Sequence, residues 1–284
     1  GMEETLIYSD LGATAPEDLS NRENIWCNSL DLCRSAYDLV DYLARTGKEN
    51  IVSSSCYYDC GYGFVEAMGK AMSHNENIRF SGHFVTPLHP NDNEAELMLG
   101  LVDQCSPEAI IAFYSGIFAK EHASYLKENE LNKSTPIYSL LPTISNGVLD
   151  EFPEAFNKSY CISSWFEELL TNENIEFVEK YKAKFSASPS LFALLGYENG
   201  LLIKNYLDNN KKFGNDLIGP RGEIIMDGSV KRTSYPNYLC QLNSNDRGYD
   251  FDILETLISD GRYLEPNDSD ENQSGGWFNA YLCH

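Results

Sequence analysis

The sequence predicts an α/β protein built on a doubly wound parallel sheet. Two observations carry that reading. Short apolar runs begin near residues 25, 51, 78, 109, 137 and 160, roughly 30 residues apart, with a helical pattern in each interval, as in a βαβ repeat. Ala109-Ile110-Ile111-Ala112-Phe113 is apolar without alternation, as a strand covered on both faces must be. Right-handed crossovers then place helices on both faces, and ligands bind beyond the carboxyl ends of the strands.

The elements follow in order. Thr5-Leu6-Ile7-Tyr8 reads as a strand, and Ser9 to Leu19 as a small-residue turn entering a helix. Thr14 stands three residues before Glu17, the capping-box spacing, and Pro16 suits a first helical turn. A strand–turn–helix tip of this kind offers free backbone N–H groups to an anion, while Thr14 as a simple helix cap is the plainer alternative. Asn24-Ile25-Trp26-Cys27 is the next apolar run. Leu32, Ala36, Leu39, Val40 and Leu43 recur at helical spacing up to Gly47. Asn50 to Ser54, Ile78 to Val85, Ala109 to Phe113, Pro136 to Leu140 and Tyr160 to Ile162 read as strands, with helices opening near Gly61-Tyr62-Gly63, Asn91 and Phe118. Asn174 to Ser186 is an amphipathic helix, and Leu191 to Leu207 a more apolar one. Asp227-Gly228 marks a turn between extended segments. Residues 259 to 276 are rich in Asp, Asn, Ser and Gly and read as loop, ahead of an apolar end at Trp277, Phe278, Tyr281 and Leu282 that is expected to dock in cis or on a partner.

Composition narrows the function classes. Of 284 residues, 43 are acidic and 21 basic, a net charge of −22 with no basic patch, so nucleic-acid binding is not expected. No apolar run reaches the ~18 residues of a membrane span. Gly1-Met2 reads as a cloning scar, or as a scar residue before a native start, and the lack of a signal-peptide pattern before Glu3 leaves the compartment open. Cys56 and Cys60 have the spacing of a zinc-ligand pair, but no second pair or nearby histidine completes a site; a disulfide between them is the other reading. A thiolate nucleophile there would sit beside Asp59 and Glu66, the wrong sign of charge. There is no G-x-S-x-G, G-x-G-x-x-G or P-loop, and the five histidines are scattered. The expectation is a chain that is not an enzyme and uses no metal or cofactor.

The ordered motifs resemble those of the leucine/isoleucine/valine-type solute-binding proteins, the type 1 periplasmic binding family, over about residues 5 to 243. Gly12-Ala13-Thr14-Ala15-Pro16-Glu17-Asp18-Leu19 resembles the loop after a late first-lobe strand, Asn24-Ile25-Trp26 the first crossover, and Tyr62-Gly63 a helix start. Phe177-x3-Tyr181, Ser188-Pro189 and Gly196-Tyr197-Glu198 resemble the second-segment helices. Gly219-Pro220-x-Gly222-x-Ile224-x-x-Asp227-x2-Val230 resembles a late strand pair, with Met226 where an aromatic residue is usual. The resemblance implies two Rossmann-like lobes joined by three crossovers and closing on a small ligand. Residues 1–24 would be a remnant of lobe I, 25–165 lobe II, 166–230 the second segment of lobe I, and 231–243 a return strand to lobe II. Residues 244–284 would form an acidic loop and apolar end. The usual start of lobe I, about three βαβ units, has no counterpart. Leu191, Leu194, Leu195, Leu201, Leu202 and Ile203 should then form an exposed patch, through which lobe I dimerises or which residues 244–284 rewire.

Transferred residue by residue, the family's ligand contacts fall on Thr14, with Gly12 beside it, and on Tyr62 and Phe118, or Ile117 with a one-residue slip, on the other side; Ala13, Tyr114 and Ser115 are candidates at the same strand ends. The residues alone read Tyr114 and Phe118 as core. The family's acidic partner for an ammonium would lie near Leu140 to Pro142, where no carboxylate stands. The implied ligand is an amino acid or related small polar molecule, the implied partner an ABC-type permease or a sensor pathway, and the implied location the periplasm, the cytoplasm being the alternative. A truncated relative that binds nothing and serves as a dimeric interaction protein is the competing reading.

Overall fold

The computed structural model describes residues 5–13, 24–56, 63–86, 94–129, 131–214, 217–228, 230–245, 248–258 and 261–264. The chain opens with β1 (Leu6–Asp10), β2 (Ile25–Ser29), α1 (Leu32–Arg45), β3 (Asn50–Cys56), α2 (Gly63–Ser73), β4 (Arg79–Thr86) and α3 (Glu94–Cys105). It continues through β5 (Ala109–Phe113), α4 (Gly116–Asn129), α5 (Leu131–Ser134), β6 (Ile137–Leu140), α6 (Asn146–Glu151) and β7 (Tyr160–Ser163). Two long helices follow, α7 (Asn172–Phe185) and α8 (Leu191–Asp208), then β8 (Leu217–Gly219), β9 (Gly222–Asp227), β10 (Arg232–Ser234), β11 (Asn237–Asn245) and β12 (Gly248–Leu257).

These strands form two sheets. The larger has the order β12-β11-β7-β6-β5-β3-β4, parallel from β7 to β4, with β11 and β12 added antiparallel. Every residue of β5 is buried, as its unbroken apolar run requires. Phe64 of α2 stacks on Phe113 at 4.9 Å, tying one helical layer to the sheet centre. The order reverses direction at β3, so right-handed crossovers put α2 on one face and α3, α4 and α6 on the other. The smaller sheet has the order β1-β2-β10-β9-β8. Leu202 of α8, Ile224 and Tyr235 form its buried cluster, with Ile7, Phe213, Leu217 and Met226 packed around them.

The chain passes between the sheets three times: at Leu30-Asp31, between Ser164 and Thr171, and at Tyr235-Pro236. This corrects two expected boundaries. The strand at residue 25 pairs with β1, Leu6 to Ile25 through Asp10 to Ser29, and not with the larger sheet. The strand at 232–234 also joins the small sheet, and only β11 returns to the large one. Both are short enough that apolar periodicity alone does not assign a partner. A third correction concerns residues 244–258, expected as acidic loop. They carry β12, a ten-residue edge strand whose Phe251 packs on Phe166 at 5.0 Å. A fourth concerns α8: Leu194, Leu195 and Leu202 are buried under the fold, and the exposed apolar side chains are Phe192, Ile203 and Leu207.

β1 is an edge. Leu6 N–H donates to Asn24 O at 2.8 Å, and Asp10 O accepts from Leu30 N–H at 3.2 Å, so residues 6, 8 and 10 turn their backbone toward β2. The backbone groups of Ile7 and Ser9 therefore face away, toward an edge with no strand partner among the described residues.

Candidate functional site

The strand ends of the two sheets meet at the first crossover. Beyond β1, Gly12 adopts a φ of +60°, and a Cβ there would lie 2.5 Å from Asp31 Cα and 2.7 Å from Ser29 Oγ, so only glycine lets the loop approach. The carbonyls of Leu11 and Gly12 accept from the N–H groups of Leu32 and Cys33 at 3.1 and 2.8 Å. The loop after β1 thus satisfies two of the orphan donors at the start of α1, and these donors are not free for an anion. Gly12 is buried and Ala13 half-buried at this junction; Thr14 lies outside the described residues.

On the other side, the structure separates the candidates. Tyr114 is fully buried: its hydroxyl bonds Ser54 Oγ, its N–H donates to Thr143 Oγ1 at 2.7 Å, and its ring stacks on His122 at 4.2 Å. Burial holds the Tyr114 hydroxyl well above the usual tyrosine range and lowers His122 to about 3, so both are neutral interior groups. Tyr114 is therefore core, as the residues alone indicate, and presents no surface to a ligand. Ser115 and Phe118 are half-buried around Gly116, whose φ is +54°, at the start of α4. The N–H groups of that first helical turn point out of β5's carboxyl end, a geometry that suits a carboxylate. Ile117 beside them is 66% exposed. Tyr62, like Cys60, lies outside the described residues. Leu140-Leu141-Pro142-Thr143 carries no charge, and its Thr143 is spent on Tyr114.

Behind the strand ends lies a group that the motifs did not assign. Arg221, in the turn between β8 and β9, and Glu198 of α8 are both 0% exposed. Arg221 Nε donates to Glu198 Oε1 at 2.9 Å and Nη2 to Oε2 at 2.6 Å, a two-pronged pair. Nη1 donates to Ser29 O at 2.8 Å and to Ser164 Oγ at 3.3 Å, and Nη2 also reaches Asn28 Oδ1 at 3.1 Å. The guanidinium lies 3.3 Å from the Tyr235 ring centroid. One side chain therefore touches all three passages between the sheets: Ser29, Ser164 and Tyr235. Burial is the strongest influence and opposes its charge, but Glu198 and Tyr235 together outweigh it and hold Arg221 above its ordinary value. A second buried set adjoins it on α1. Asn237 donates to Asp38 Oδ2 at 2.7 Å, Arg34 lies 3.5 Å from the same carboxylate, and Arg34 also bonds Ser234 and the Tyr235 carbonyl. Burial raises Asp38 to about 6 despite both partners.

The arrangement is two sheets joined by three passages around one buried polar cluster. No protein-family model and no curated protein matches the chain. Solved structures do. An ABC transporter substrate-binding protein from Sphaerobacter thermophilus is 18% identical with a TM-score of 0.75, over 87% of this chain and 71% of that one. The fold is that of the type 1 periplasmic binding proteins. Two further members of this fold show the same extent. A solute-binding protein from Rhodopseudomonas palustris BisB5, solved with 3,4-dihydroxybenzoic acid, is 17% identical with a TM-score of 0.70, over 91% and 74% of the two chains. A branched-chain amino acid ABC transporter protein from Rhodospirillum rubrum is 17% identical with a TM-score of 0.68, over 84% and 70%. The chain spans 70–74% of the length of these three solved structures.

Proposed function

We propose that the chain is the solute-binding component of an ABC-type uptake system, or a sensor derived from one, acting in the periplasm and handing its ligand to a permease. The ligand would lie between the sheets, with Gly12, Ala13 and Thr14 on one side and Tyr62, Ser115 and Phe118 on the other. The observation that carries this reading is the pair of α/β sheets joined by three passages, a fold whose ligands lie beyond the carboxyl ends of the strands. The absence of a carboxylate at Leu140 to Pro142 leaves an ammonium without a partner there, which favours an acid lacking an amine over an α-amino acid. Similar proteins are solved with 3,4-dihydroxybenzoic and p-hydroxybenzoic acids, ligands of that class.

Thermal melting of the full chain against 4-hydroxybenzoate, 3,4-dihydroxybenzoate and L-leucine tests it. A ligand at a hundred times its Kd adds about 2.7 kcal/mol, a rise in Tm of roughly 5–10 °C. A rise with an aromatic acid and none with leucine is the expected result; no rise with any of the three removes the reading.

The open edge of β1 supports a second reading, a dimer formed through the small sheet. Leu6 on that edge and Ile203 and Leu207 on α8 are exposed apolar groups, and an unpaired strand edge is a template for another chain. A monomer in sedimentation equilibrium at micromolar concentration would dispose of it.

A further inference from the structure

A second concavity lies on the small sheet, at the ends of β1 and β2 remote from the crossovers. Its volume is about 670 Å³, and Trp26 of β2, Tyr206 near the end of α8, Phe213 in the following loop and Met226 of β9 line it. Trp26 and Phe213 meet edge to face at 4.7 Å, and Tyr206 and Phe213 lie 5.2 Å apart. The hollow is open and mostly polar, with rings on which a flat molecule can stack, and its volume is within the ~300–1,000 Å³ of small-molecule sites.

Charge is the second observation. Lys211 and Lys212 line the hollow, and the Lys231 ammonium sits 4.8 Å from the Trp26 ring centroid. None of the three lysines makes an ion pair among the described residues, and Glu223 is the carboxylate that lines the hollow. In a chain with 43 acidic and 21 basic residues, that is a local reversal of sign. The negative end of the α8 dipole accounts for a lysine near residue 211. It does not account for Lys231, which arrives from the turn between β9 and β10, or for the rings.

The loop that carries the lysines is built, not loose. Asn210 and Lys211 are both left-handed, with φ of 55° and 62°, and Lys231 is left-handed at 56°. Lys211 N–H donates to Tyr206 O at 2.9 Å, Gly214 N–H to Asn205 Oδ1 at 2.8 Å, and Asn209 Nδ2 to Asn205 O at 2.8 Å. A Cβ at Gly214 would lie 2.8 Å from Asn209 Nδ2, so the loop closes tightly on itself. Backbone held in sparsely populated conformations by surrounding bonds pre-organises what it carries.

We propose that this hollow is a second ligand site, for a flat aromatic molecule bearing an acidic group, its ring against Trp26 and Phe213 and its acid on Lys211 and Lys212. Trp26 stands three residues before Ser29, about 10 Å along the strand, so the site is separate from the strand-end cleft and does not depend on the reading of that cleft. The acid is a carboxylate or a phosphate.

Calorimetric titration of the full chain at low salt, with indole-3-acetate in one arm and adenosine 5′-monophosphate in the other, tests the proposal and tells the two acids apart. Three proteins are compared: the natural chain, the Lys211→Glu/Lys212→Glu variant, and Ile117→Glu, which sets a carboxylate at the strand-end cleft. All three positions are exposed, and melting curves verify that the variants remain folded. The expected result is saturable binding of one acid at one site, weakened roughly tenfold or more by the lysine reversal and unaffected by Ile117→Glu. The proposal falls if neither acid saturates at millimolar concentration, if the lysine reversal leaves affinity unchanged, or if Ile117→Glu abolishes binding, which would put the acid in the strand-end cleft.

Discussion

Arg221 has no water to fall back on. Every donor of its guanidinium is spent inside the protein, so its charge is tolerated only while Glu198 stands opposite. Glu198→Ala is expected to cost about 3–5 kcal/mol, because it leaves a buried cation uncompensated, while Glu198→Leu combined with Arg221→Met should recover most of that loss. Urea unfolding of the two variants measures the difference. Asp38 gives a pH-dependent counterpart. Its pKa rises from 3.8 to about 6 on folding, so between those values the folded chain binds a proton that the unfolded chain has lost. The group's contribution therefore falls as pH rises from about 4 to 6, by about 3 kcal/mol for a two-unit shift. Asp38→Asn should gain on the natural chain by up to that amount between pH 4 and pH 7, and a pH-independent difference would show Asp38 charged throughout. The sequence shows Glu198 inside an apolar helix and Arg221 between Pro220 and Gly222, but no local pattern shows that they meet. Their pairing exists only once β8 and β9 fold back beside α8.

Among the elements, the loop after β1 was legible for its glycine but not for its use. Gly12 is left-handed and crowded by Asp31, whereas Gly47 at the end of α1 is left-handed, with φ of +82°, and a methyl group placed there would meet nothing within 4 Å. Gly47→Ala should therefore cost about 1 kcal/mol, backbone strain alone, and Gly12→Ala about 2 kcal/mol or more, with thermal melting separating them. The parallel strands of the large sheet were readable because each repeats a strand–helix period with a buried apolar run. β12 was not, because Asp250, Asp252 and Glu255 dominate its composition and hide the alternation of Tyr249 and Phe251, whose side chains pack inward. β2 and β10 are not legible as members of the small sheet, since a five-residue run with three apolar positions and the three polar residues Arg232-Thr233-Ser234 carry no information about which partner lies beside them.

At the scale of the whole molecule, the two sheets differ in how well they are closed. The large one has helices on both faces, while the small one has an open edge at β1 and exposed apolar groups on α8. If the small sheet is a dimer interface, Ile203→Gln with Leu207→Gln should shift sedimentation from dimer to monomer without lowering Tm, since both side chains are exposed. The fold class was legible because the βαβ rhythm is long and regular; the identity of any ligand was not, because strand-end loops set it and two of the transferred residues lie outside the described parts. The topology also sets an order of events during synthesis. Asn28 of β2 bonds Thr233, 205 residues further on, so at the ribosome's pace of ~5–20 residues per second β2 waits roughly 10–40 s for its neighbour. A nascent chain that has just released β7 already holds five parallel strands of the large sheet, yet β2 still lacks β10, its neighbour in the small sheet. β1 and β2 thus wait for β10, and a pause in translation after β7 would leave the β10 side of β2 exposed to whatever chaperone or neighbouring chain meets it first.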